Sequence, residues 1–146
     1  ERLGLSIDSP VSELGHTVAE LLLAPHRSYL NALRDLVTGG LLKGMAHITG
    51  GGLTDNVPRI LPEGRRAVFF RSAIPVPPLF EFLKRAGKVA DDEMWRTFNM
   101  GVGMVLAVAP AQAEAVRRHL ESRAEPVSRI GVVEAGPRGG GDRERP

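Results

Sequence analysis

Cysteine is absent from this chain of 146 residues. That absence excludes disulfide frameworks, thiol nucleophiles and every zinc site built on thiolate. Aromatic residues are scarce, with one Trp, one Tyr and five Phe, too few for a platform on which nucleic-acid bases stack. No apolar run approaches the ~20 residues of a membrane-spanning helix, and no charged-then-apolar signal segment opens the chain. An excess of one charge is missing too. Nineteen Lys and Arg stand against seventeen Asp and Glu, a net charge of +2, without a long basic block, although the sequence pI is about 9.5. Neither nucleic acid nor a membrane is therefore expected as a partner, and the expected location is the cytoplasm. The chain opens at Glu1 rather than Met, which reads as a fragment or a processed product.

What is present is the balance of a globular protein, 42% hydrophobic and 25% charged. The length fits one domain. A chain of this size buries roughly two-thirds of its unfolded surface, so it needs no disulfide or metal staple.

Leu3, Leu5 and Ile7 read as the end of an element that begins upstream. Thr17 and Glu20 have capping-box spacing and predict a short helix from Thr17 to Leu23, stopped by Pro25. A second helix is expected from His26, with Leu30, Leu33 and Val37 on one face and Gly39-Gly40 at its end. Leu41 to Thr49 reads as a strand. Leu53 to Leu61 reads as a helix, with Pro58 tolerable only in a first turn. Ala67 to Phe70 reads as a buried strand. A helix opened by Pro75, Pro77 and Pro78 should present Leu79, Leu83 and Ala86 on one face and close at Gly87.

Asp91, Asp92 and Glu93 suit the positive N-terminus of a helix reaching Phe98; the competing reading is a metal cluster. Met104 to Val108 reads as a strand, followed from Pro110 by a helix turning Ala113, Val116 and Leu120 inward. Val127 to Glu134 returns as a strand, so that this part predicts a right-handed crossover unit. From Gly136 onward the chain lacks apolar residues and reads as a mobile tail over 136–146, with Arg138, Arg143 and Arg145 as solvating charges. The domain proper is placed at 1–135.

Two segments carry candidate chemistry. In His47-Ile48-Thr49-Gly50-Gly51-Gly52-Leu53-Thr54-Asp55-Asn56, three glycines lie between a strand and a helix. They permit positive φ and close backbone approach, and their N–H groups suit a phosphate. Thr49 and Thr54 add hydroxyls, Asn56 an amide and Arg59 a guanidinium. No Lys-Ser or Lys-Thr follows, so this is not a Walker loop. The alternative is a plain strand–helix turn capped by Thr54 or Asp55. His47, beside the loop, suits proton movement near neutral pH or else is a half-buried ring satisfied by backbone. His16, His26 and His119 have no partners at metal-ligand spacing and read as surface residues.

The second segment is Phe98-Asn99-Met100-Gly101-Val102-Gly103-Met104. Its glycines either clear a sheet face for a ligand, with Asn99 reading polar groups, or mark a bulge or close contact while Met100 and Met104 fill core.

Together these segments, from His47 through Pro58-Arg59 and from Phe98 to Met104, resemble the signatures of the aminoimidazole ribonucleotide synthetase family, also called phosphoribosylformylglycinamidine cyclo-ligases. The resemblance extends through Leu22 to Tyr29, Pro75 to Phe80 and Ile130 to Val133. His26 stands where Thr is usual before Arg27, and Ser28 where an apolar residue is usual.

The resemblance implies an α+β fold, three-layer α/β/α with a mixed sheet and partly ferredoxin-like. It implies that this is the C-terminal domain alone of a protein that is a homodimer when full-length. ATP and magnesium are then bound mainly through an N-terminal domain absent from this chain. The implied activity is ATP-driven closure of the imidazole ring of formylglycinamidine ribonucleotide, in purine biosynthesis. It casts His47 as catalytic and Thr49, Gly50, Gly51, Gly52, Asn56 and Asn99 as substrate- or phosphate-binding, with no metal ligand on this chain. The chain alone is expected to be inactive. The alternatives are a stand-alone nucleotide-binding or oligomerisation domain, or part of a related ATP-using enzyme such as formylglycinamidine synthetase, selenophosphate synthetase or thiamine-phosphate kinase.

Overall fold

Alternation along one strand shows how the fold is assembled. In the computed structural model, which describes residues 4–143, strand β3 (Leu42–His47) pairs antiparallel with β5 (Met104–Val108), with Met45 opposite Leu106 and His47 opposite Met104. Successive side chains of a strand point to opposite faces. Accordingly Ala46, Ile48 and Val105 enter one apolar cluster, while Met104, Leu106 and Val108 pack against another; Leu42 joins the second because the register of the ribbon shifts between Leu42 and Gly44.

The second cluster is built by two helices, α2 (Leu30–Thr38) through Ala32, Leu33 and Leu36, and α6 (Ala113–Glu121) through Val116 and Leu120. The first joins α3 (Gly52–Asn56), the 3-10 turn Val57–Ile60 and strand β4 (Arg65–Phe70). The β3–β5 ribbon thus separates two cores, and the architecture is α+β.

β4 carries four consecutive buried residues, Ala67 to Phe70, because it is the middle strand of a mixed sheet. It pairs antiparallel with β6 (Gly131–Ala135) and parallel with β7 (Gly139–Arg143). The expected strand–helix–strand crossover is therefore corrected. β5 and β6, on either side of α6, lie in different sheets, because β6 finds its partner in the apolar β4.

The expected tail is corrected as well. Residues 139–143 form a strand, and Arg138 donates to the carbonyl oxygens of Pro58 (2.9 Å) and Arg59 (3.2 Å). A Cβ at Gly140 would stand 3.2 Å from the Phe69 ring and 3.3 Å from the Thr54 Cα, so this glycine serves close packing. Arg145 and the side chain of Arg143 lie outside the described residues, as does Leu3.

At the start, a short ribbon joins β1 (Pro10–Val11) to β2 (His16–Thr17). Helix α1 (Val18–Leu22) is opened by the expected capping box of Thr17 and Glu20. The Thr17 backbone N–H holds the Glu20 carboxyl below its usual value. Helix α2 starts at Leu30, later than expected, and turns a different face inward. Leu30 and Val37 are 63% and 48% exposed, while Ala32, Leu33 and Leu36 are buried.

Pro58 is accommodated by a break, in which α3 ends at Asn56 and Pro58 enters a new 3-10 turn. Helices α4 (Pro78–Gly87) and α5 (Asp91–Thr97) form where the prolines and the acids predict them. Among the described residues no helix is long and apolar enough to cross a membrane.

Candidate functional site

The two glycine-bearing segments meet. The N–H of Ile48, just beyond β3, donates to the carbonyl of Gly103, just before β5, at 2.9 Å. The ends of the two strands therefore bring the 47–56 loop and the 98–104 turn side by side.

Asn56 organises the first loop. The residue is 4% exposed, and its side-chain nitrogen donates to the carbonyls of Gly52 (2.8 Å), Gly50 (3.2 Å) and Thr49 (3.4 Å). Its oxygen accepts from the Thr49 hydroxyl at 3.3 Å. In a trans peptide the C=O of one residue and the N–H of the next point in opposite directions. Turning the Thr49 and Gly50 carbonyls inward onto Asn56 therefore turns the N–H groups of Gly50 and Gly51 outward. Neither has a hydrogen-bond partner among the described residues.

Gly52 differs from its neighbours. Its N–H donates to the Thr49 carbonyl at 3.1 Å, its φ is +58°, and a Cβ there would stand 2.5 Å from the Trp95 carbonyl oxygen and 2.8 Å from that of Phe98. It is the contact between α3 and the end of α5. Gly51 holds φ +92° with Asp55 against it, whereas a Cβ at Gly50 would meet open space. Thr54 donates its hydroxyl to the Gly51 carbonyl at 3.3 Å. Of the residues expected to face an anion, Gly50 and Gly51 present donors; Thr49, Gly52 and Asn56 are engaged within the loop.

In the second segment, the Asn99 side-chain oxygen accepts from the Gly101 N–H at 3.0 Å, fixing a turn in which Met100 and Gly101 take φ +50° and +89°. The glycines make room for protein. A Cβ at Gly101 would stand 2.3 Å from Pro77 Cδ, and one at Gly103 1.9 Å from the Tyr29 hydroxyl. Met100 is buried and Met104 packs into the second cluster.

His47 is exposed, and its Nε2 lies 3.0 Å from Nε2 of His26. Sequence spacing gave no sign of this meeting, because 21 positions and all of α2 separate the two rings. His119 is engaged with the Ala32 carbonyl and Arg123, and His16 lies 3.6 Å from Glu20. Arg27 pairs with Glu125 at 2.9 Å.

Two of the three acids of α5, Asp91 and Asp92, answer cations. Arg71 reaches Asp92 (2.9 Å), Asp91 (3.4 Å) and Asp142 while lying 5.1 Å from the Trp95 ring centre. Partial burial pulls the Arg71 guanidinium down, but hydrogen bonds to Asp92 and Asp142 outweigh it and hold it above its ordinary value. Lys84 bonds Asp91 at 2.6 Å; that bond lowers the Asp91 carboxyl and raises the Lys84 ammonium. Among the described residues no three His, Asp or Glu are placed to hold a metal together. Asp91 and Asp92, matched by cations, and Glu93, which accepts from the Thr97 hydroxyl at 3.1 Å, do not form the donor set that magnesium requires.

The family described as AIR synthase related protein, C-terminal domain, matches residues 3–143. The chain belongs to this family.

The chain is similar to part of proteins named phosphoribosylformylglycinamidine cyclo-ligase. It is 44% identical to that of Syntrophotalea carbinolica over 133 residues, covering 91% of this chain and 38% of the relative. With that of Cupriavidus pinatubonensis it is 50% identical over 119 residues, 82% of this chain and 34% of the relative. The chloroplastic/mitochondrial protein of Vigna unguiculata is 46% identical over 135 residues, again 91% and 34%. The chain thus spans little more than a third of the length of these relatives.

Proposed function

We propose that this chain is the substrate- and phosphate-binding part of an ATP-dependent ligase that closes the imidazole ring of formylglycinamidine ribonucleotide to give aminoimidazole ribonucleotide. The observation that carries this reading is the pair of outward amides at Gly50 and Gly51, in a chain whose relatives are named as cyclo-ligases. Ring closure needs the formyl oxygen to become a leaving group. A phosphoryl group transferred from ATP to that oxygen makes it one; the amidine nitrogen then attacks the formyl carbon, and inorganic phosphate departs.

In this scheme the Gly50 and Gly51 N–H groups hold an oxygen of the transferring phosphate, an electrostatic role that a fixed backbone performs without reorganising. His47 holds or moves a proton through a ring nitrogen. Asn56 and Thr49 keep the loop turned outward, Gly52 seats it on α5, and Asn99 fixes the neighbouring turn.

Nothing in this scheme runs through a metal on this chain; ATP and magnesium belong mainly to an N-terminal domain of the same protein. The whole protein is read as a cytoplasmic homodimer, and this domain as three-layer α/β/α and partly ferredoxin-like.

The test is a titration of the folded chain with inorganic phosphate and with the ribonucleotide, followed by backbone amide resonances. Movement of Gly50 and Gly51 is expected. If both stay still while the ligand is in excess, the binding role fails. Mixing with a separately prepared N-terminal part and assaying ring closure tests the chemistry, where His47→Ala is expected to cut turnover by about a hundredfold or more.

A further inference from the structure

His26 and His47 bring their Nε2 atoms to 3.0 Å, with ring centres 4.9 Å apart and planes tilted by 57°. The two rings come from separate parts of the chain. His47 is the last residue of β3 and stands opposite Met104. His26 leads into α2, with the Tyr29 ring edge-on at 5.8 Å and the Tyr29 hydroxyl occupying the space that Gly103 leaves. Both histidines are exposed, and among the described residues no carboxylate pairs with either ring.

Two imidazole lone pairs cannot face each other bare. Either one nitrogen carries a proton and donates it, or a cation accepts both lone pairs. Imidazole nitrogens bind zinc at about 2.0–2.1 Å, so two adjacent ligands stand about 2.9 Å apart at a right angle and about 3.4 Å apart at a tetrahedral one; the 3.0 Å separation lies within that range. A neutral pair of nitrogens favours the borderline ions zinc, copper and nickel over magnesium and calcium, which take oxygen.

We propose that His26 and His47 form a two-imidazole site for a divalent transition ion of the zinc class, its remaining coordination positions open to water. An ion held there engages Nε2 of His47 and withdraws it from proton chemistry, so the site is inhibitory. That consequence, unlike the binding itself, rests on the role proposed above for His47.

Zinc chloride titrated into the chain, followed by calorimetry and by the imidazole nitrogen resonances, is expected to move His26 and His47 together. His119, whose ring is already engaged, should not move. His26→Gln keeps a hydrogen-bonding side chain but is a poor zinc ligand, and should weaken binding by about tenfold or more; His47→Gln should do the same. Magnesium chloride should move neither ring. Zinc-independent resonances at both rings, or undiminished affinity in a folded His26→Gln variant, overturn the proposal.

The two readings separate in the reconstituted assay. Zinc binding through both rings with an unimpaired His47→Ala rate supports the site and removes the catalytic role of His47. Loss of rate in His47→Ala without zinc binding does the reverse.

Discussion

The α-carbon of Gly52 rests so close to the Trp95 carbonyl that a methyl group added to it would come within 2.5 Å of that oxygen. Backbone oxygen cannot swing aside as a side-chain tip can, and φ +58° is costly for any residue with a Cβ. Gly52→Ala is therefore expected to destabilise the chain by about 1–3 kcal/mol. Gly50→Ala, with open space around it, should stay within about 0.5 kcal/mol of the parent. Urea denaturation midpoints compare the two; equal midpoints would contradict the contact.

Asn56→Ala removes a buried carboxamide that serves three carbonyls and one hydroxyl. A loss of about 1–3 kcal/mol is expected from the unpaired loop groups. The phosphate titration supplies a sharper readout. With the carbonyls released, the loop need no longer face its amides outward, so the phosphate-dependent shifts of Gly50 and Gly51 should vanish even where the variant remains folded.

Gly140→Val should detach β7. Its side chain would press on the Phe69 ring and the Thr54 backbone, both within 3.4 Å of a mere Cβ. Amide protection over residues 139–143 is expected to collapse while that of β4 and β6 persists. Preserved protection along β7 would show that the strand does not need the close approach.

The Asp91 carboxyl lies below its ordinary value of 3.8 because Lys84 donates to it. Its folded value is thus lower than its unfolded one. The stability it contributes is full above the unfolded value and disappears as pH falls through the folded value. The gap in stability between the parent and Asp91→Asn should therefore be present at about pH 6 and shrink as pH falls below the ordinary carboxylate range. It should also be small, as befits an exposed ion pair, and shrink in high salt. A gap that grew on acidification would refute the assignment.

Local signals in the sequence set much of this molecule. The Thr17–Glu20 capping box, the prolines opening α4, the acids opening α5 and the apolar run of β4 form what they predict, because each depends on groups within a few residues of one another. The 47–56 loop was legible as a strand–helix turn with free amides for the same reason.

Tertiary packing decided the rest. Which loop amides stay free depended on Asn56 folding back beneath the turn. The glycines at 101 and 103, readable as clearings for a ligand or as close contacts, are the points where Pro77 and Tyr29 press in, and Gly140, read as part of a tail, is where Phe69 does. α2 shows Ala32, Leu33 and Leu36 to the core, because its neighbours are β5 and α6 rather than an idealised helical face. The approach of His26 to His47 needed the end of β3 and the segment before α2 to lie side by side. Hydrophobic spacing and capping act along the chain, whereas strand pairing and close approach join residues far apart in it. Their outcome is fixed only when the whole interior is filled.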